Sequence, residues 1–182
     1  MSRFLSKASE SLLPYTPGEQ PQGRKFIKLN TNECPYPPSP KVAEAILAGY
    51  EENSSKIMPL ELANLRLYSD PEERVLIEAI ADHYGVGTNQ VIAGNGSDEI
   101  LGFAFRAFCD QNAPLQFADL TYGFYPALCG LYGIPFKVVP LEEDFTLNIE
   151  PYKNCGNNVI IANPNAPTGM NLPLSAIEEV AA

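Results

Sequence analysis

From about residue 91 onward, short apolar runs alternate with helix-sized segments, and this alternation limits the possible folds more than any other feature of the chain. Val91 to Ala93, Leu115 to Ala118, Phe136 to Val139 and Val159 to Ala162 read as strands, with 97–108, 123–132 and 173–182 as helices. Strands separated by helices form βαβ units, so the expected fold class is α/β, a mainly parallel sheet flanked by helices. In such sheets ligands sit beyond the carboxyl ends of the strands, which directs attention to the residues just after each strand.

Upstream the pattern is different. Residues 1–39 hold few periodic apolar positions and many turn formers, among them Pro14, Pro17, Gly18, Pro35, Pro37 and Pro38, and read as an extended N-terminal arm. Ser39-Pro40 is an N-cap followed by proline at the first helical position, which predicts a helix over 40–52. Asp70-Pro71 repeats that start signal; Leu76, Ala79, Ile80 and His83 then share one helix face before Gly85 stops it. The expected organisation is an arm at 1–39, a first helix and linker at 40–71, and an incomplete α/β domain at 72–182. The last helix meets no C-cap before Ala182, which reads as one piece of a longer protein.

Charge and cysteines narrow the function classes. Twelve Lys and Arg against 22 Asp and Glu leave a net charge of −10, so nucleic acid is not an expected partner. A small anion remains compatible, because backbone N–H groups at a helix end bind phosphate whatever the global charge. Cys34, Cys109, Cys129 and Cys155 form no Cys-x-x-Cys pair, and His83 is the only histidine, so no metal site is expected. No run of about 18 apolar residues occurs, and the N-terminus lacks the apolar stretch of a signal peptide. No membrane association is expected, and the cytoplasm is the default compartment.

Four segments can carry chemistry. After the run at 91–93, Gly94-Asn95-Gly96 leads into Ser97-Asp98-Glu99 at the start of a helix with Ile100, Leu101, Ala104, Phe105 and Phe108 on its apolar side. Strand, glycine turn and helix amino end present free N–H donors and a partial positive charge, a setting for phosphate or simply a capped helix. Glu99 replaces the third glycine of a dinucleotide fingerprint, and no Gly-Lys-Ser/Thr follows, so both standard nucleotide motifs are absent. Asn163 to Gly169 forms a rigid polar loop after the run at 159–162. Thr121-Tyr122, with Tyr125, follows the run at 115–118 and can either stack on a planar ring or join the core. The arm and linker contribute Tyr15, Asn32 and Tyr68.

In order, these segments resemble the N-terminal half of the histidinol-phosphate aminotransferases, fold-type I pyridoxal-phosphate enzymes. The resemblance runs from about Leu13 to Ala182 through Leu29 to Glu33, Tyr68 to Pro71, Gly94 to Glu99, Arg106 to Cys109, Thr121-Tyr122 and Asn163 to Gly169. It implies that Ser97 and Asp98 hold the phosphate of pyridoxal 5'-phosphate, Tyr122 stacks on its ring, and Tyr68 reaches the phosphate in the other subunit of a homodimer. It implies substrate contacts from Tyr15 and Asn32, with histidinol phosphate and 2-oxoglutarate or glutamate as the small-molecule substrates. On this reading 72–182 is the front of the cofactor-binding large domain. The family commonly places Asn immediately before Pro-Thr-Gly, against the 3-oxygen of the cofactor; here that residue is Ala166, and Asn165 is the candidate to stand in for it.

The same resemblance implies a lysine that bonds the cofactor, an Asp at the pyridine nitrogen and arginines for substrate anions. None of the seven lysines, Lys7, Lys25, Lys28, Lys41, Lys56, Lys137 and Lys153, lies in the family's Ser-x-Ser-Lys setting, so these groups are expected beyond Ala182 and no catalytic residue is assigned within the chain. Alternatives are an aromatic aminotransferase or threonine-phosphate decarboxylase, a nicotinamide oxidoreductase with an unusual glycine turn, and a non-catalytic fragment. The 182 residues alone, given pyridoxal phosphate, histidinol phosphate and 2-oxoglutarate, are expected to show no amino transfer above the free-cofactor background. Transfer above that background refutes the expectation.

Overall fold

The computed structural model describes residues 34–51, 68 and 70–182. They group into two compact units, one within 17–93 and one spanning 94–182.

In the first unit, helix α1 spans Pro40–Glu51. Ser39 caps it, its Oγ accepting the Lys41 N–H at 3.3 Å and its carbonyl the Val42 N–H at 2.9 Å. Helix α2 spans Arg74–Tyr84 and ends at Gly85, which takes φ 66° so that its N–H reaches the Ala81 carbonyl. The start of α2 departs from expectation, because Asp70 closes a turn ahead of the helix rather than capping it. Its carboxylate accepts the N–H groups of Glu72 and Arg74 and pairs with the Arg74 guanidinium at 2.9 Å. Those N–H groups hold the Asp70 carboxyl below the usual carboxylate range, with Arg74 adding to the effect.

The second unit holds the sheet. Strand β1 (Leu115–Ala118) lies between β2 (Phe136–Val139) and β3 (Asn158–Val159), parallel to both, with Leu115 beside Phe136 and Asn158. Helices α3 (Ser97–Phe108), α4 (Phe124–Tyr132) and α5 (Leu174–Ala181) complete it. All four residues of β1 are buried, the central position of a parallel strand covered on both faces. On one face Leu115 and Phe117 join Phe105, Tyr125, Leu128 and Cys129 in the core, where Phe117 meets the Tyr125 ring edge-on at 5.7 Å.

The opposite face carries the fully buried Gln116, whose amide nitrogen and oxygen each have a partner. Its Nε2 donates to the Pro151 carbonyl at 2.8 Å, and its Oε1 accepts the Asn157 amide at 3.1 Å. Lys153 then ties the same segment to α5, donating to Glu150 at 2.7 Å and Glu179 at 2.6 Å.

Two expected strands are shorter or missing among the described residues. Val91 to Ala93 is extended without a ladder, and the run at 159–162 pairs only at Asn158–Val159, with the Ile160 N–H still reaching the Gln116 carbonyl at 3.1 Å. On its other side β1 stays paired with β2 along its whole length, from the Leu115 N–H on the Pro135 carbonyl at 3.0 Å to the Asp119 N–H on the Val139 carbonyl at 2.9 Å. The expected apolar face of α3 holds for Phe105, 2% exposed, whereas Phe108 at the last turn is 72% exposed.

Burial pushes the Cys129 thiol up to about 11 and the Tyr152 phenol up to about 12, with the charges of Cys109 and Asp119 adding to the respective shifts. Above the ordinary thiol value of about 8.5 the unfolded chain sheds protons that the folded chain retains, so stability falls as pH rises, by up to about 1.4 kcal/mol per unit for each group. Urea midpoints taken between neutral and alkaline pH should decline in the wild type and decline less steeply in a Cys129→Ala, Tyr152→Phe double variant. Parallel declines would show that these groups do not titrate differently on folding.

Candidate functional site

The amino end of α3 is built by two glycines in different settings. A Cβ at Gly94 would lie 2.8 Å from Ile100 Cδ1 and 3.0 Å from Glu99 Oε2, so a side chain there would have to displace the ends of both side chains. Gly96 has open space around it but adopts φ 82°, ψ 171°, a backbone region closed to residues with a Cβ. The Gly96 N–H folds back onto the Gly94 carbonyl at 3.0 Å, and the Ile100 N–H takes the Gly96 carbonyl at 3.4 Å as α3 begins.

Ser97, Asp98 and Glu99 are exposed, and α3 has no side-chain cap. Their three N–H groups lie at the positive end of a twelve-residue helix and take no backbone partner among the described residues, which is the arrangement that receives an anion. The neighbouring carboxylates are held by donors of their own. Glu99 Oε2 accepts the Asn95 N–H at 2.6 Å, and Asp98 Oδ1 accepts the Tyr122 hydroxyl at 2.7 Å.

That last bond joins two segments expected to act together, since Tyr122 comes from beyond β1 and Asp98 from α3. The Tyr122 ring is half-buried, edge-on to Tyr125 at 5.7 Å and tilted against Phe124 at 6.2 Å. An aromatic ring is thus fixed beside a phosphate-sized set of donors.

The polar loop reaches the same place through Asn165. The loop is closed by Asn163, whose side chain exchanges two hydrogen bonds with the main chain of Leu172 at 2.9 and 3.1 Å, and by the Asn165 N–H to the Met170 carbonyl at 2.8 Å. Asn165, 7% exposed, donates to the Leu120 carbonyl at 2.9 Å and to Thr168 Oγ1 at 3.1 Å, while its Oδ1 accepts the Thr121 hydroxyl at 2.8 Å. Behind it lies a cavity of about 220 Å³ lined by Phe145, Leu147, Ile161, Met170 and Leu172 as well as Asn165.

The structure therefore assembles Ser97, Asp98, Tyr122 and Asn165 within one unit, Ala166 standing half-buried after Asn165. Tyr68 belongs to the other unit and is fully exposed. Tyr15 and Asn32 lie outside the described residues. Sequence reasoning passed over Glu99 as a brace for the glycine turn, although a carboxylate four residues after Asn95 was the available signal, and over the Thr121–Asn165 bond, which has no local signature. Among the described residues no group of His, Cys, Asp and Glu could hold a metal, and no helix is long and apolar enough to cross a membrane.

Known proteins share both the sequence and this architecture. The chain is 48% identical over 180 residues to a histidinol-phosphate aminotransferase of Pseudomonas putida, covering 99% of this chain and 49% of that protein. It is 50% identical over 179 residues to histidinol-phosphate aminotransferase 1 of Methylococcus capsulatus, covering 98% of this chain and 47% of that one. The chain thus spans about half the length of the curated relatives it matches. The crystal structure of histidinol-phosphate aminotransferase from Sinorhizobium meliloti, in complex with pyridoxal-5'-phosphate, superposes with a TM-score of 0.78 at 25% identity, over 100% of this chain and 48% of that one. The expected parallel α/β fold is the one these proteins have. Residues 24–182 match the family model for aminotransferase class I and II, and the chain belongs to that family.

Proposed function

We propose that this chain supplies the phosphate-gripping, ring-stacking half of a histidinol-phosphate aminotransferase that works with pyridoxal phosphate. The observation that carries the reading is the pairing of open N–H donors at Ser97 and Asp98 with the Tyr122 ring, whose hydroxyl donates to Asp98 Oδ1 at 2.7 Å. The donor set fits a phosphate monoester, and the ring beside it fits a flat heterocycle. Pyridoxal phosphate supplies an electron sink that lets an amino group pass between substrates.

The residues here bind and orient. Ser97 and Asp98 hold phosphate through main-chain N–H groups, with Glu99 keeping Asn95, and so the turn, in register. Tyr122 supports the ring. Tyr68 serves the phosphate across a homodimer interface, and Tyr15 and Asn32 contact substrate. Histidinol phosphate and glutamate exchange amino groups with their oxo partners in the cytoplasm. The matching relatives, named for this activity and identical at nearly half their aligned positions, support the substrate assignment. No proton-transferring group is assigned within 1–182.

Two measurements test this. Residues 1–182 joined to the part of the Pseudomonas putida relative they leave uncovered should give an enzyme that transfers amino groups from histidinol phosphate to 2-oxoglutarate. A folded chimera that binds no pyridoxal phosphate sinks the reading, and one that prefers aromatic amino acids favours the aromatic alternative. In the same chimera Gly96→Ala forces an alanine into glycine-only backbone, which should lower stability by about 1–3 kcal/mol and weaken cofactor binding. Unchanged binding at a lower denaturation midpoint would separate the turn from the phosphate.

A further inference from the structure

The loop at 163–172 and the segment at 120–122 are joined by one side chain. Asn165 has both amide hydrogens engaged, on the Leu120 carbonyl and Thr168 Oγ1, and its Oδ1 holds the Thr121 hydroxyl at 2.8 Å. Its main chain is also fixed, the Gly169 N–H taking the Asn165 carbonyl at 2.7 Å and the Asn165 N–H taking the Met170 carbonyl at 2.8 Å. A buried amide satisfied in this way has one well-defined position.

Leu120 and Thr121 immediately precede Tyr122, whose hydroxyl is held at the other end by Asp98. The ring is therefore tethered twice, by its backbone through Asn165 and by its tip through Asp98. The backbone and the hydroxyl lie on one axis, so the two tethers fix where the ring stands, and the Tyr125 and Phe124 rings beside it, at 5.7 and 6.2 Å, restrict its turning about that axis before any ligand arrives. Setting it in advance reduces the ordering cost of binding.

We propose that Asn165 is a positioning residue: acting through Leu120 and Thr121, it fixes the Tyr122 ring relative to the amino end of α3 and so sets the geometry in which a planar, phosphate-bearing ligand is received. This rests on the pyridoxal phosphate reading above. It assigns Asn165 to the protein's own frame, in place of the direct cofactor contact considered from sequence. The two tethers differ in what they control, since inorganic phosphate needs only the N–H groups of α3 whereas pyridoxal phosphate needs the ring as well.

The test is made on the chimera of residues 1–182 described above with Thr121→Val, which removes the hydroxyl but keeps the shape, Thr121→Ser, which restores it, and Asn165→Ala. Hydrogen exchange at 119–123 is followed without ligand. Affinities for inorganic phosphate and pyridoxal phosphate are then measured, the latter by the visible absorbance of the bound cofactor. Thr121→Val should speed exchange at 120–122 and raise the Kd for pyridoxal phosphate about tenfold, equivalent to about 1.4 kcal/mol, while the Kd for phosphate stays put. Thr121→Ser should return both to the wild-type values. Should Asn165→Ala fail to fold, the threonine pair carries the result.

Equal pyridoxal phosphate affinity in wild type and Thr121→Val overturns the proposal, as does an equal loss for both ligands, which would mark general loosening. A wild-type chimera that binds phosphate but not pyridoxal phosphate overturns the cofactor reading, and this inference with it.

Discussion

The hydrogen bonding of β1 to strands on both sides is the constraint on which the 94–182 unit depends. A four-residue strand has little intrinsic stability, and β1 persists because Leu115, Phe117 and Ala118 are buried and both polar atoms of the Gln116 side chain have partners on the opposite face. The segment carrying Tyr122 leaves directly from its carboxyl end, the loop carrying Asn165 follows its neighbour β3, and α3 packs against it through Phe105. Ser97, Asp98, Tyr122 and Asn165 are thus all carried on segments that leave, neighbour or pack against the same buried strand. Disturbing β1 would move the ring, the polar loop and the helix end together, whereas changes in the loops act on one contact at a time.

The site also shows how local dipoles override global charge. A chain of net charge −10 should repel anions at long range, but ionic screening limits that field to about 8–10 Å under physiological salt. At the amino end of α3 the nearest carboxylates already accept hydrogen bonds, Glu99 from Asn95 and Asp98 from Tyr122. Each bond draws a negative oxygen toward a donor elsewhere in the protein and leaves the helix N–H groups to a ligand. The acidic first turn therefore complements the helix dipole and braces the turn without occupying the anion position.

What the sequence disclosed and what it withheld follow from the range of the interactions. The bounds Ser97–Phe108, Leu115–Ala118 and Phe136–Val139 were legible, because capping, periodicity and apolar runs are local. Val91 to Ala93 was not, because an apolar run becomes a strand only when a partner presents a ladder, and pairing is decided by distant residues. The same limit applied at Asp70, whose N-cap signature was real but served a turn, since the Arg74 guanidinium and N–H competed for its carboxylate. Within the site, Ser97, Asp98 and Tyr122 could be chosen by chemistry and position. Their assembly depended on contacts between residues 24 and 44 positions apart, for which no spacing rule exists.

Asn165 shows why chemical type alone does not assign a role. An asparagine offers two donors and a carbonyl oxygen, and a ligand contact requires that at least one be uncommitted and directed at the ligand. Here both donors and one lone pair serve Leu120, Thr168 and Thr121, so recruiting its amide for a ligand would release a buried partner, at about 1–3 kcal/mol for each group left unsatisfied. Ala166, next in the loop, has no polar side chain to offer. The loop's contribution to binding therefore runs through the residues that Asn165 holds. A loop rich in polar residues after a strand can act on a ligand without touching it, by fixing the aromatic ring that does.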